Sequence, residues 1–145
     1  MNPIQNRNDA TTRRERHEMH ENQIAEGIVE AAFRVHRWFG PGLLESAYEV
    51  CLVHELRDMG FATEQQVPLP LVYRDVRLDA GYRLDIWVDR KVIVEVKAVD
   101  EIHPVHIAQV LTYLKLTDNS LGSVLNFHTA LLKNGIRRIV NNLKE

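Results

Sequence analysis

Apolar positions along this chain recur first at helical spacing and then at every second residue. From Glu18 to Phe39, Ile24, Ile28, Ala31, Val35 and Phe39 fall three or four apart, predicting an amphipathic helix with one buried stripe. Gly40-Pro41-Gly42 ends it, because proline lacks the N–H that would continue the ladder. A second helix is predicted from about Leu43 to Met59, ended by Gly60, with Leu44, Tyr48, Cys51, Leu52, Leu56 and Met59 on its apolar arc. Glu45 lies in line with Leu52 and Leu56, so a carboxylate points along the side meant for the core.

The period then shortens. Residues 64–67 and 69–73 read as strands, with Pro68 and Pro70 marking an irregular or edge position. Residues 82–88 and 92–99 read as two further strands around a polar Asp89-Arg90-Lys91 loop of hairpin length. Alternation puts Leu84, Ile86 and Val88 on one side of the first, and Arg83, Asp85 and Trp87 on the other. It likewise gives Glu95 and Lys97 one face of the second, and Val94, Val96 and Ala98 the opposite face. A three-residue loop sets Val88 opposite Val92 and Ile86 opposite Val94, and lands Asp85 opposite Glu95. Two opposed carboxylates destabilise a hairpin unless a cation neutralises them, and this conflict marks where function should be sought.

His103 as a cap and Pro104 in the first turn open a third helix to about Leu116, buried through Ile107, Val110, Leu111 and Leu114. His106, Gln109 and Tyr113 form a separate polar-tipped stripe along it. Two short strands, 122–127 and 136–140, complete an α/β layered domain over residues 17–145. Residues 1–16 are polar, mixed in charge and read as a flexible tail.

Composition narrows the functional classes. A chain of 145 residues with 45% hydrophobic and 26% charged content reads as one globular domain. A formal charge of −2 provides no general basic surface, so nucleic-acid contact must rest on a local patch such as Arg74, Arg77, Arg83, Arg90 and Lys91. Cys51 is the single cysteine; it excludes an internal disulfide or a four-cysteine metal site and reads as core. The absence of a hydrophobic signal core or a spanning segment makes a cytoplasmic location, with no membrane association, the expectation.

Hard oxygen donors suit Mg²⁺ or Mn²⁺, and Asp85 with Glu95 supplies a carboxylate pair to which the Val96 carbonyl adds a further oxygen. Lys97 would orient or help deprotonate an attacking water and offset phosphate charge, and Glu45 could complete the ligand shell from its helix. This set suits hydrolysis of a phosphodiester. Each residue also has a plainer reading. Glu-x-Lys on a strand is commonly an ion pair, and Glu45 could be a half-buried partner of arginine. Glu55 on the apolar side of the same helix warns that such burial need not be catalytic, and His103 with His106 lacks a zinc ligand set.

Gly42-Leu43-Leu44-Glu45-Ser46-Ala47-Tyr48 reads G-x-x-E-x-x-Y. Together with Asp85, Glu95-x-Lys97, Gln109-x-x-x-Tyr113, Asn126-Phe127 and Gly135-Ile136, it makes the chain resemble the GxxExxY proteins, a branch of the PD-(D/E)XK nuclease superfamily, from about Ile24 to Val140. The resemblance implies a restriction-endonuclease-like core of αβββαβ order, a mixed sheet flanked by helices with one extra helix at the N-terminal side. It also implies a Mg²⁺- or Mn²⁺-dependent nuclease acting on DNA, with Asp85, Glu95, Lys97 and Glu45 catalytic and Asp85, Glu95, Val96 and Glu45 around the metal. Gln109, Tyr113, His106 and Tyr48 would contact the substrate or brace the site. Leu84 stands where the superfamily name has proline. A homodimer would let two sites cut both strands. The competing expectation is a non-catalytic nucleic-acid- or protein-binding module that keeps the fold and uses the same residues as an ion network.

Overall fold

The computed structural model describes residues 19–79 and 81–144; the tail expected over residues 1–16 lies outside them. Helix α1, Glu21–Phe39, starts where His20 Nδ1 accepts the Asn22 N–H at 3.0 Å and Gln23 returns its side-chain oxygen to the His20 N–H. It ends at Gly40, whose φ of +69° favours glycine. Helix α2 spans Glu45–Asp58, and β1 follows at Thr63–Pro68. Next comes a separate two-stranded hairpin, β2 (Leu71–Tyr73) with β3 (Val76–Leu78), turned at Arg74 and Asp75. The alternation-based reading has one strand over 69–73 and overlooks β3, since neither three-residue strand is long enough to show a period.

Strands β4 (Arg83–Val88) and β5 (Val92–Lys97) form the expected hairpin, with Ile86 opposite Val94 and Val88 opposite Val92. Asp89 and Arg90 both take positive φ, the conformation that twists a tight turn to match its strands. Helix α3, Pro104–Thr117, then carries the chain over the sheet to β6, Leu121–Asn126, which lies parallel to β5. A 3₁₀ turn over Leu132–Gly135 leads into β7, Ile136–Val140. The sheet order is β1-β4-β5-β6-β7, antiparallel throughout except at β5–β6.

Helices cover both faces, giving three layers. Ile24, Ile28, Val35, Leu52 and Leu56 of α1 and α2 pack on Ile86, Val88, Val94 and Val96. Val110 and Leu114 of α3 pack on Leu84, Ile93 and Val124. Leu84 therefore sits on the opposite face from Ile86, against the expectation from strict alternation. The reason is a break in the ladder: β1 and β4 pair at Gln65↔Ile86 and Val67↔Leu84 but not at Gln66 and Asp85, where Gln66 has φ +53°. Both strands change face at this step.

Candidate active site

The β1–β4 ladder is interrupted at Gln66 and Asp85, and the acids predicted from the hairpin meet beside this notch in the pairing. Asp85 is partly buried, and Glu95 is only 4% exposed. Each acid serves the other strand's backbone. Asp85 Oδ2 accepts the Val96 N–H at 3.0 Å, and Glu95 Oε1 accepts the Asp85 N–H at 3.3 Å. The β4–β5 ladder ends at Ile86↔Val94, and carboxylates take over beyond it. These bonds hold both carboxyl groups in place where the two strands adjoin.

Burial pushes the Glu95 carboxyl up to about 8, and the neighbouring Asp85 charge adds to the effect. Lys97 acts in the opposite sense on Glu95 from the same strand face, without a direct ion pair to either acid. The third helix closes this side. Gln109 Nε2 donates to the Tyr113 hydroxyl at 2.8 Å, and burial followed by the Glu95 charge raises the Tyr113 hydroxyl above its ordinary value. His106 lies close enough to Lys97 and Glu45 to feel both, and its imidazole is held below its ordinary value first by desolvation. Its Nδ1 accepts the His103 N–H at 3.2 Å, so His106 serves as a helix-start residue beside the notch.

Two expected site residues have other work. Tyr48 is fully buried: its hydroxyl donates to the Gly40 carbonyl, accepts the Leu43 N–H at 3.0 Å, and its ring stacks on Phe127 at 4.5 Å. It closes the Gly40–Leu43 turn and offers no atom to a substrate. Glu45 is exposed, not aimed into the core, and its carboxylate accepts the Ala98 N–H at 3.1 Å just past β5. It ties the start of α2 to the sheet. Among the described residues no group of three or more His, Cys, Asp or Glu side chains is placed to hold a metal, so Glu45 does not join Asp85 and Glu95 in a ligand trio.

Glu49, one turn after Glu45, went unnoticed in the sequence although it shares the stripe of Leu52 and Leu56. It is 8% exposed and accepts the side-chain amides of Gln65 and Gln66 at 2.7 Å each. Burial, then the charges of Asp85 and Glu45, raise its carboxyl, while both glutamines oppose the rise. Asn126 completes the surroundings by exchanging bonds with the Val99 backbone, donating at 2.9 Å and accepting at 3.0 Å. Gly135 lies against Asn126 so closely that a Cβ there would meet its carbonyl oxygen at 2.1 Å.

A family model described as the PD-(D/E)XK nuclease superfamily matches residues 22–139. The chain belongs to that superfamily. No curated protein and no solved structure matches it in the corresponding comparisons. The superfamily's αβββαβ core corresponds here to α2, β1, β4, β5, α3 and β6, with β2–β3 inserted between the first two strands and α1 added in front. Among the described residues no helix is long and apolar enough to cross a membrane.

Proposed function

We propose that this chain is a divalent-metal-dependent nuclease of the GxxExxY branch, hydrolysing phosphodiester bonds in DNA. One observation carries the reading: a buried glutamate and an aspartate from adjoining strands share a notch, with a lysine on the same face. The donor chemistry fits a hard, hydrated cation, which takes one or two carboxylates and keeps several waters. Asp85 and Glu95 would hold it, with the Val96 carbonyl as a further oxygen. Burial and then the Asp85 charge raise Glu95, and a buried, repelled carboxylate is the kind of penalty a cation removes. When bound, such an ion would activate water and stabilise charge on the scissile phosphate.

The chain's own residues supply the rest. Lys97 would orient the attacking water, help remove its proton and offset phosphate charge. Gln109 and Tyr113, joined to each other on α3, would brace the substrate side of the notch. Arg83, exposed at the start of β4, is the nearest cation of the local patch in sequence and would meet the phosphate backbone. Arg77 and Arg90 pair with Asp79 and Glu64, which weakens their claim to phosphate. Cutting both strands would need two copies, and hence a homodimer on the substrate.

The test is cleavage of labelled single-stranded, double-stranded and branched DNA, and of RNA, by purified protein with Mn²⁺ or Mg²⁺. Lys97→Ala should retain the fold and bind Mn²⁺ while losing cleavage. Survival of every substrate in the presence of metal would end the proposal.

A second reading is favoured by the acids already having backbone partners. Asp85, Glu95 and Glu45 each accept an N–H without any ion, as a non-catalytic module would require. Calorimetry separates the two: a module of this kind takes up no Mn²⁺, and Asp85→Ala then alters stability alone.

A further inference from the structure

Gln66 and Asp85 face each other across β1 and β4, yet they are the one step missing between paired neighbours on both sides. Gln66 takes φ +53° there. Where only the turn is needed, glycine or asparagine meets that demand with less strain. A glutamine kept in this conformation therefore points to its side chain as the reason.

Consecutive strand residues normally point to opposite faces. The left-handed step brings the amides of Gln65 and Gln66 to the same side, one on each oxygen of Glu49 at 2.7 Å. The amide nitrogen of Gln66 carries two hydrogens, and it also faces Asp85 Oδ1 at 3.4 Å. The other oxygen of Asp85 accepts the Val96 N–H. The carboxylate is thus held from both strands that flank it. Glu49 is buried, and both of its oxygens are taken by glutamine amides, so it is not poised as a metal ligand.

We infer that Glu49 and Gln66 are positioning residues: Glu49 fixes the Gln66 amide, and Gln66 sets the orientation of the Asp85 carboxylate. This deepens the nuclease reading and rests on it only for the use made of Asp85. Neither residue touches the reacting atoms. Their contribution is to hold an acid at the angle its partner requires, the part that hydrogen bonds behind metal-binding carboxylates play generally.

Gln66→Gly tests this because glycine keeps the left-handed step freely while deleting the amide. Glu49→Gln is the companion variant, equal in size but able to accept only one of the two amides. In metal-free protein, hydrogen exchange at the Val96 amide reports the Asp85 bond directly. Gln66→Gly should melt no lower than wild type, yet exchange Val96 about tenfold faster, as expected for a weakened charge-assisted bond. With Mn²⁺ and duplex DNA, its kcat should fall about 10- to 100-fold with KM unchanged. Glu49→Gln should move both readouts in the same direction.

Val96 exchange and kcat at wild-type levels in Gln66→Gly would overturn the inference. So would losses that merely follow a lowered melting temperature, or an effect in Glu49→Gln with none in Gln66→Gly. A wild-type protein that cleaves nothing would sink the nuclease reading, while the metal-free Val96 comparison would still decide whether Gln66 holds Asp85.

Discussion

Replacing Glu95 with glutamine should make the metal-free protein more stable at alkaline pH. In the folded state the Glu95 carboxyl is raised from its ordinary value of 4.5 to about 8, first by desolvation and then by the Asp85 charge. Between those values the folded chain keeps a proton that the unfolded chain has released. Stability therefore falls as pH rises through this window, and the full cost is present above about pH 8. At about 1.4 kcal/mol per pH unit, the gap sets an upper bound of about 5 kcal/mol. The side chain is 4% exposed, so solvent screening takes little from it. A glutamine reproduces the protonated acid: its oxygen can accept the Asp85 N–H as Glu95 Oε1 does, and its amide can donate to the Asp85 carboxylate. Urea unfolding of both proteins with chelator present, at pH 5, 7 and 9, measures the difference. Glu95→Gln should match wild type within about 1 kcal/mol at pH 5 and exceed it by about 2 to 5 kcal/mol at pH 9. Glu49, raised in the same direction, is unchanged between the two and cancels. Parallel pH profiles, or a variant less stable at pH 9, would refute the claim that an unrelieved buried charge sits at this position.

Metal binding should draw on the same strain. Near neutral pH, Mn²⁺ uptake by wild type should release about one proton per ion, seen as a dependence of calorimetric heat on the buffer's ionisation enthalpy, and Glu95→Gln should abolish that release. Tyr48→Phe removes the partner of the Leu43 N–H and of the Gly40 carbonyl, so it should lower stability by about 1 to 3 kcal/mol in denaturant titration. Below its melting range it should still cleave at the wild-type rate, which a substrate-contacting tyrosine would not allow. Gly135→Ala forces a Cβ onto the Asn126 carbonyl and should cost more than about 2 kcal/mol, measured in the same way. A wild-type melting temperature in that variant would contradict the packing described.

The sheet's centre was readable because its rule is local. β-branched runs, one polar loop and side-chain alternation suffice to place Ile86 opposite Val94, and the helices follow from residues three and four apart. What the pattern misses is set by contacts between distant segments. Nothing in a tyrosine on an apolar helical arc says that its hydroxyl will close a turn at Gly40 instead of meeting a ligand. Glu45 lies on the predicted stripe, but it sits in the first helical turn, where the carboxylate can reach out to the Ala98 N–H and remain in water. Glu49 lies on the same stripe one turn deeper, so periodicity alone could have marked it as the buried acid of the pair.

The face change at Leu84 is the instructive failure. Alternation holds only while the ladder is unbroken, and the break sits at Gln66, a residue type with no preference for positive φ. A glycine or asparagine there would have signalled a bulge; a glutamine signals an ordinary strand. The cause lies across space, in Glu49, which takes both amides and so selects the conformation that β1 would not adopt alone. The left-handed step at Gln66, where local preference is overruled, also turns Asp85 out of the ladder, toward Val96 and Glu95. Strain stored beside the candidate chemistry is maintained by a neighbouring helix, so the geometry of Asp85 belongs to the packing of α2 on β1 as much as to the hairpin that carries it.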